Sequence, residues 1–255
     1  MGIDISEIDY LGIDRVLKRG TGEIIVQNED ALLVRDSVSE ALLLACEDIP
    51  LGISILDRYM KNQSPDSKQD QTRDQIRNLN LNQSPAPKQD QSCSLLMVTN
   101  NSLGKAAFER YGFSEKLECF QVAYYGDPPA ADPAISVRPA EKQDLPFLID
   151  CYHLISPEEL EKVVERQTLL LGYCREQWIG FIGEHLEGSM GLLYIFPGFR
   201  RRGYAAALEK HYIAMTMEKG LVPFGQVEKN NRESLLLQKK IGMRQSEKLI
   251  CWMWK

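Results

Sequence analysis

The sequence lacks the cysteine and histidine spacing of a metal site. It has six cysteines but no Cys-x-x-Cys pair, and its three histidines stand far apart. Zinc sites and disulfide frameworks both need such residues in closely spaced groups. We therefore predict that the protein binds no metal and that its cysteines are reduced, buried thiols.

Long apolar runs and an excess of basic residues are missing as well. No apolar run reaches the roughly 18 residues of a membrane-spanning helix. The start, MGIDISEIDY, has no basic region followed by an apolar run, so no signal peptide is expected. The net charge is −6, whereas nucleic-acid surfaces are basic. We predict a cytoplasmic protein with neither a membrane nor a nucleic acid as its partner.

The remaining composition is that of an ordinary globular protein, and 255 residues allow one large domain or two small ones. Residues 61–92 are polar and repeat NQSPDSKQDQ as NQSPAPKQDQ, which predicts a low-complexity insertion, either tolerated or used for docking. Residues 127–134, DPPAADPA, are typical of a linker. The predicted domains are therefore 1–126 and 135–255.

The chain contains one helical pattern twice. NNSLGKAAFERYGF, from Asn100, aligns without a gap with NNRESLLLQKKIGM, from Asn230. In each copy an Asn-Asn pair opens a short apolar helix pattern and a glycine, Gly112 or Gly242, ends it. In the first copy we predict that Asn101 caps the helix.

Strand patterns surround both copies in the same order. EIIVQNEDALLVRDSVSEALLLAC and LLLGYCREQWIGFIGEHLEGSMGLLYIF each predict consecutive antiparallel strands. KLECF and KLICW predict a strand after each repeated helix. The second half also has a strand in AISVRPA and a helix from about Lys142 to Tyr152. The predicted fold class is α+β, with two units that each have a mixed, mostly antiparallel sheet flanked by helices.

Residues 192–220, LLYIFPGFRRRGYAAALEKHYIAMTMEKG, have the chemistry of an anion site. Pro197 ends an apolar strand, a turn of arginines and glycine follows, and a helix then begins. The free N–H groups and the dipole of that helix favour an anion in the turn. Gly203 lets the backbone approach a ligand, and Arg200 to Arg202 suit phosphate oxygens. The pattern predicts a pyrophosphate-bearing ligand.

LLYIFPGFRRRGYAAAL resembles the acyl-CoA-binding motif of the GNAT superfamily of N-acyltransferases. That motif is a strand and a proline followed by Arg/Gln-x-x-Gly-x-Gly/Ala, matched here by Arg200, Gly203 and Ala205. VEKNNRESLLLQKKIGM resembles the next motif of that superfamily, Asn-x-x-Ser-x-x-Leu-Tyr-x-Lys-x-Gly-Phe. It does so through Asn231, Ser234, Leu237, Lys240 and Gly242. The resemblance implies the GNAT fold for residues 135–255.

The resemblance also implies that acetyl-CoA, or another acyl-CoA, is the co-substrate and that no metal takes part. The pantetheine arm would pair with backbone groups near Ile195 and Phe196. The pyrophosphate would lie at Arg200 and at the N–H groups of the residues that follow it, which are Arg201, Arg202, Gly203, Tyr204 and Ala205. Asn231 and Ser234 complete the cofactor-binding residues that the resemblance implies.

The catalytic groups depart from the family pattern. The family tyrosine that reprotonates the leaving thiolate corresponds to Gln238, which donates hydrogen bonds but supplies no proton at neutral pH. The family often has a carboxylate where this chain has Ser189. Glu187 lies two residues earlier, on the same face of a predicted strand, and is either the base or a solvated strand end. Water is the alternative base.

In the first half, ALLLACEDIP runs into LGISILDRYMK with no Arg-x-x-Gly-x-Ala turn between them. A helix from Gly52 to Met60 is expected there. Phe108 stands at the tyrosine position and Tyr111 does not restore the motif. We therefore predict that the first half is a degenerate GNAT copy that folds without binding CoA.

The leading hypothesis is an N-acetyltransferase that moves an acetyl or other acyl group from acyl-CoA to a primary amine by direct attack. The acceptor is a small molecule or a peptide. Glu158, Glu159 and Glu161 either attract that amine or form a solvated helix face. The alternative is a catalytically weak or inactive acyl-CoA-binding regulatory module. A homo-oligomer through the N-terminal domain or the last strand is a further possibility.

Overall fold

The computed structural model describes residues 3–62 and 93–255 and divides the chain into two compact units. The first unit comprises Met1–Phe120 and Ser246–Lys255, and the second comprises Gln121–Gln245. These bounds differ from the predicted domain bounds at 126 and 135. The last residues of the chain pack with the first half, because a strand pattern specifies a strand but not the neighbour with which it pairs.

The helices and strands of the described first half follow one another along the chain. They are α1 (Leu11–Lys18), β1 (Gly22–Gln27), β2 (Ala31–Asp36), β3 (Leu42–Cys46), α2 (Ile49–Asn62), β4 (Leu95–Val98), α3 (Asn101–Tyr111) and β5 (Glu115–Ala123).

The second half repeats the order of strands, crossover helix, strand, helix and final strand. Its elements are β6 (Ser136–Pro139), α4 (Leu145–Cys151), α5 (Pro157–Glu165), β7 (Leu169–Cys174), β8 (Gln177–Glu184), β9 (Met190–Ile195), α6 (Tyr204–Glu218), β10 (Phe224–Glu228), α7 (Arg232–Ile241) and β11 (Arg244–Trp254).

The sheet of the first unit has the strand order β1-β2-β3-β4-β11-β5. β3 and β4 are parallel, because α2 crosses over between them, and the pairs β1–β2, β2–β3 and β4–β11 are antiparallel. Every residue of β3 is buried. Its side chains alternate between two cores: Leu44 packs with the side chains of α2 and α3, and Leu43 packs with those of α1.

The sheet of the second unit runs β6-β7-β8-β9-β10, with the end of β5 beside β10. β9 and β10 are parallel, and the pairs from β6 to β9 are antiparallel. α6 packs on one face through Leu208 and Tyr212. α4 and α5 pack on the other through Leu148 and Val163. The mixed, mostly antiparallel α+β architecture that the sequence predicts is therefore present.

The predicted helix ends agree with the structure, with one correction. Gly112 (φ 64°) and Gly242 (φ 95°) are left-handed C-caps of α3 and α7. Asn100, rather than the predicted Asn101, caps α3, since its Oδ1 accepts hydrogen bonds from the N–H groups of Ser102 and Leu103. The backbone of Asn100 is still extended, so its side chain can turn back to the first turn.

The predicted helix after Gly52 is α2, which begins three residues earlier than expected. The predicted helix from Lys142 consists of a 3₁₀ turn over Lys142–Asp144 followed by α4. The predicted low-complexity insertion, from residue 63 onward, lies outside the described residues. In the parts of the chain that the structure describes, no helix combines the length and apolar character that crossing a bilayer requires.

Candidate functional site

The turn between β9 and α6 presents an open helix N-terminus. After Phe196, Pro197–Phe199 form one 3₁₀ turn. Arg201 (φ 59°) and Gly203 (φ 89°) then take left-handed conformations, and Gly203 is the N-cap of α6. As a glycine, this N-cap has no side chain that could accept hydrogen bonds from the first turn. Its first N–H groups have no partner within the helix, so the helix start attracts an anion.

The three arginines of the turn are all exposed, but they have different surroundings. Nε of Arg200 donates to the Ile195 carbonyl oxygen at 2.9 Å, and its guanidinium lies 5.7 Å from the centre of the Tyr194 ring. Arg200 thus fastens the turn to the strand before it. The guanidinium of Arg202 lies 5.9 Å from the centre of the Phe199 ring, at the start of α6. Arg201 and Arg202 supply positive charge beside the helix N-terminus.

β9 and β10 touch at one point and then separate. Their one registered pair is Met190 opposite Gly225. A Cβ atom at position 225 would lie 2.8 Å from the Met190 carbonyl oxygen, so the two backbones are in contact there. Leu192 then has a left-handed φ of 48°. Because no further pair is registered among the described residues, a gap opens between the strands toward the turn.

The two predicted pantetheine partners, Ile195 and Phe196, differ in which edge of β9 their N–H groups face. The Phe196 N–H donates to the Ile179 carbonyl oxygen at 3.0 Å, so it faces β8. Successive residues of a strand direct their backbone groups to opposite edges. The N–H of Ile195 therefore faces the gap, while its carbonyl accepts from Arg200. Of the two residues, Ile195 is the one positioned to pair with a ligand between β9 and β10.

Tyr204 and Ala205 are the first two residues of α6. The Tyr204 hydroxyl lies 3.3 Å from Sγ of Cys174 on β7. Next to this contact is a cavity of about 730 Å³. The cavity is lined by Phe199, Arg202 and Tyr204 together with Pro133 to Ser136 and Tyr173 to Gln177. The turn therefore borders this cavity as well as the gap between the strands.

Asn231 and Ser234 are paired with each other. Oδ1 of Asn231 accepts from the Ser234 N–H at 3.1 Å and caps α7. The side-chain oxygen of Asn231 thus caps the helix start, and Ser234 is a half-buried residue. In this structure the second motif fixes where α7 begins.

Gln238 is buried against α6. Gln238 is 5% exposed, and its side chain acts on the carboxyl group of Glu209 on α6, which is 4% exposed. Burial raises the pKa of Glu209 to about 7, although the hydrogen bond from Gln238 acts to lower it. The residue at the family's tyrosine position thus interacts with a buried carboxyl group.

The turn between β8 and β9 contains a cluster of polar side chains. Ser189 (1% exposed) donates a hydrogen bond from its hydroxyl to Oε1 of Glu187 (7% exposed). Nδ1 of His185 lies 3.8 Å from Oε1 of Glu159 on α5. Burial acts to lower the pKa of His185, but Glu159 and the charge of Glu187 outweigh it and raise that pKa above its ordinary value.

The placement of Glu187 corrects one expectation. β8 ends at Glu184 and β9 begins at Met190, so Glu187 lies in the turn and not on a strand face. Gly188 donates its N–H to the His185 carbonyl oxygen, and this tight turn replaces the expected strand alternation. Glu187 still reaches Ser189, because the turn folds the two side chains together.

The first unit closes the corresponding helix end with its own side chain. Only Glu47 and Asp48 separate β3 from α2, and Oδ1 of Asp48 accepts from the Leu51 N–H at 2.7 Å. Phe108 packs against the core beside α2, and the Tyr111 hydroxyl pairs with Asp57 at 2.9 Å. The sequence predicts no anion-binding turn between β3 and α2. In the structure, Asp48 caps the helix that begins there.

Sequence reasoning missed Glu209 and the contact between Ser189 and Glu187. One signal for Glu209 was present, since position 209 lies beside Leu208 and one turn before Tyr212, on the apolar face of α6. A carboxyl group on such a face is unusual. The contact of Ser189 with Glu187 depends on the turn conformation and leaves no signal in the spacing.

Residues 171–253 match the family model described as FR47-like protein. No curated protein matches the chain in sequence. A protein from Drosophila melanogaster has a similar structure, with a TM-score of 0.60 and 14% identity over 98% of this chain and 90% of that one.

Two bacterial structures are also similar over nearly the whole chain. The GCN5-related N-acetyltransferase-like protein from Streptococcus suis 89/1591 has a TM-score of 0.51 and 13% identity, covering 99% of this chain and 100% of that one. The GCN5-related N-acetyltransferase from Kribbella flavida has a TM-score of 0.53 and 9% identity, covering 100% and 96%. At these identities the similarity establishes the fold.

Proposed function

We propose that this chain, which has the fold of the GNAT superfamily, transfers an acyl group from acyl-CoA to a primary amine. The observation that carries the proposal is the uncapped N-terminus of α6, placed where β9 separates from β10. The diphosphate of an acyl-CoA can bind the N–H groups at a helix start. Its long pantetheine arm has amide groups that can pair with a free strand edge. The similar bacterial N-acetyltransferases support an acetyl group as the simplest transferred group.

The diphosphate would lie at the first N–H groups of α6, which follow the left-handed Gly203. A Cβ atom on Gly203 would meet nothing within 4 Å, so the glycine is needed for its left-handed φ of 89° and not for space. Arg201 and Arg202 would neutralise phosphate oxygens, whereas Arg200 holds the turn in shape through Ile195.

The pantetheine arm would add to the edge of β9 in the gap. The N–H of Ile195 is the backbone group that we assign to it. The amine nitrogen would attack the thioester carbon, a C–N bond would form and the C–S bond would break, with its electron pair staying on sulfur. Neighbouring N–H groups of β9 would stabilise the oxyanion of the tetrahedral intermediate.

The proton released by the amine needs an acceptor. We assign this role to Glu187, which acts through the hydroxyl of Ser189, the residue at the family's carboxylate position. Ser189 would pass its proton to Glu187 and take one from the ammonium group. Both side chains are buried, so water does not compete for their hydrogen bond.

The acceptor side of the unit combines acidic and aromatic groups. Glu159 lies in the first turn of α5, 3.8 Å from His185. Phe147 of α4 is 46% exposed and packs on Trp178, with ring centres 4.5 Å apart. Carboxylates and aromatic faces both attract a cationic amine. We therefore assign a small-molecule or peptide amine to this side of the unit.

One observation favours a second function, that of an acyl-CoA-binding regulatory module. Gln238 stands where the family has a proton-donating tyrosine, and its buried amide is engaged with Glu209. A module would bind acyl-CoA tightly and release no CoA above hydrolysis when amines are added. An enzyme would release CoA in proportion to at least one amine of a broad panel.

Isothermal titration with acetyl-CoA and CoA tests the shared part of both functions. We expect binding at micromolar protein, and a loss of about tenfold or more in affinity for Arg202→Glu. Arg58→Glu is the matched control, because Arg58 is an exposed arginine of α2 with the same charge change. The absence of binding by the wild-type protein, or equal losses in both variants, would refute the proposal.

A further inference from the structure

Glu209 and Gln238 form a buried pair between α6 and α7. Each is at least nine-tenths buried, and the Gln238 side chain is close enough to the Glu209 carboxyl group to favour its ionised form. The pair lies within the second unit, and the turn at Gly203 is less than two helical turns before Glu209 on α6. A carboxyl group in this position is costly unless its oxygens are satisfied or it is neutral.

Two oxygens of the pair lack partners. Among the described residues, Oε2 of Glu209 and Oε1 of Gln238 are buried atoms with no hydrogen bond. An ionised carboxylate only accepts hydrogen bonds, and so does an amide oxygen, so neither atom can satisfy the other. A protonated carboxyl group has one O–H. If this O–H is on Oε2 of Glu209 and donates to Oε1 of Gln238, both oxygens have a hydrogen-bond partner.

Charged neighbours do not oppose this protonation. The elements packed against α6 include β8, β9 and α7. Their charged residues are Glu184 on β8 and Arg232, Glu233, Lys239 and Lys240 on α7. None of them shifts the pKa of Glu209, on which only burial and Gln238 act. Burial is the largest influence on this carboxyl group, and burial favours its neutral form.

We propose that Glu209 is protonated in the native protein and shares its proton with Gln238, and that this neutral pair orients the Gln238 amide at the acyl-transfer site. The second part rests on the proposed function. Glu209 donates to the amide oxygen and accepts from one amide N–H, which leaves the other N–H of Gln238 for the leaving sulfur. Glu209 is thus a positioning residue that acts through Gln238.

With this pair, the leaving thiolate of CoA is stabilised by a hydrogen bond and is not protonated by the protein. When the C–S bond breaks, the electron pair stays on sulfur, and the thiolate accepts a hydrogen bond from Gln238 in place of a proton from a tyrosine. The proton on Glu209 is not consumed, and the thiolate takes its proton from water after release. A thiolate is a weak enough base at neutral pH for this sequence to proceed.

Infrared difference spectroscopy tests the shared proton without any substrate. We expect a C=O band of a protonated carboxyl group that disappears as the pH rises, with a midpoint near 7, and that is absent from Glu209→Gln. Glu218→Gln, which alters an exposed glutamate of the same helix, should keep the band. A Glu209→Gln spectrum identical to that of the wild type at neutral pH would overturn the proposal.

Ligand and kinetic measurements test the orienting role. Saturating CoA should shift the midpoint of the Glu209 band, because its thiol and Gln238 interact; bound CoA without a shift would contradict the role.

Glu209→Gln restores two hydrogen bonds and should keep kcat, with no decline above neutral pH. Glu209→Leu should lose about tenfold in kcat at an unchanged KM for acyl-CoA, the effect of one hydrogen bond. Equal kcat values for the two variants would exclude positioning through Gln238.

The two proposals fail in different ways. If acyl-CoA does not bind, the proposed function is wrong, and the orienting role at an acyl site falls with it. The infrared band then still decides whether Glu209 and Gln238 share a proton. If acyl-CoA binds and is turned over but the band is missing, only the inference about Glu209 fails.

Discussion

Oδ1 of Asp48 accepts a hydrogen bond from the Leu51 N–H at 2.7 Å and closes the N-terminus of α2. α6 follows the equivalent strand of the second unit, and its N-cap, Gly203, has no side chain to close its N-terminus. The favourable interaction of a helix start with negative charge is thus made by the protein's own carboxylate in one unit. In the other unit it remains available to a ligand.

Asp48→Ala should lower the free energy of unfolding by about 1 kcal/mol, because the first turn of α2 loses its cap. Urea denaturation followed by circular dichroism measures the change. Asp48→Asn keeps a capping oxygen and should recover most of the loss. An alanine variant as stable as the wild type would mean that the contact contributes no stability.

Gly180→Ala should destabilise the protein by at least about 2 kcal/mol. Gly180 has a φ of 154°, and a Cβ atom there would collide with the Tyr194 carbonyl oxygen of the neighbouring strand. Gly198→Ala is the matched control, since its Cβ would meet nothing within 4 Å. Thermal unfolding of the two variants should differ clearly. Equal midpoints would show that the β8–β9 contact adapts to the methyl group.

Gln238→Tyr should not simply restore the family's acid. The side chain at position 238 is 5% exposed, so a larger ring must displace its neighbours at a cost of about 1–3 kcal/mol. We expect a lower melting temperature, an altered kcat and little change in CoA affinity. Differential scanning calorimetry and titration separate these effects. An unchanged melting temperature would show that the site around Glu209 has room for the ring.

The stability of the protein should fall as the pH rises toward neutrality, because of Glu209. Its pKa is raised from 4.5 to about 7 in the folded state, so the folded state binds the proton more tightly than the unfolded chain. The resulting stabilisation is complete below pH 4.5 and is lost as the pH rises through about 7. It amounts to about 3 kcal/mol.

Chemical denaturation at a series of pH values measures this contribution. Glu209→Gln cannot titrate at this position, so its curve should lack the decline, and the difference between the two curves isolates Glu209 from the other carboxyl groups. Parallel curves would show that Glu209 titrates alike in the folded and unfolded chains.

Local patterns predicted most of the elements, because each depends on residues close together in the chain. Gly112 and Gly242 end their helices as predicted, since a left-handed C-cap needs only a glycine after the last turn. The predicted cap of α3, Asn101, is wrong by one residue. Either of two successive asparagines could cap the helix, and the extended backbone of Asn100 makes it the cap.

The sequence by itself determined the strand, turn and helix around Gly203, and with them the expectation of a phosphate-binding turn. It did so because the residues of the turn are contiguous and their conformations follow from proline, glycine and the helix that follows. Tertiary structure alone decided that Ser246–Lys255 joins the first unit, that Ser189 meets Glu187, and that Gln238 meets Glu209. These contacts join residues whose distance depends on strand pairing and helix packing, which a pattern along the chain does not encode.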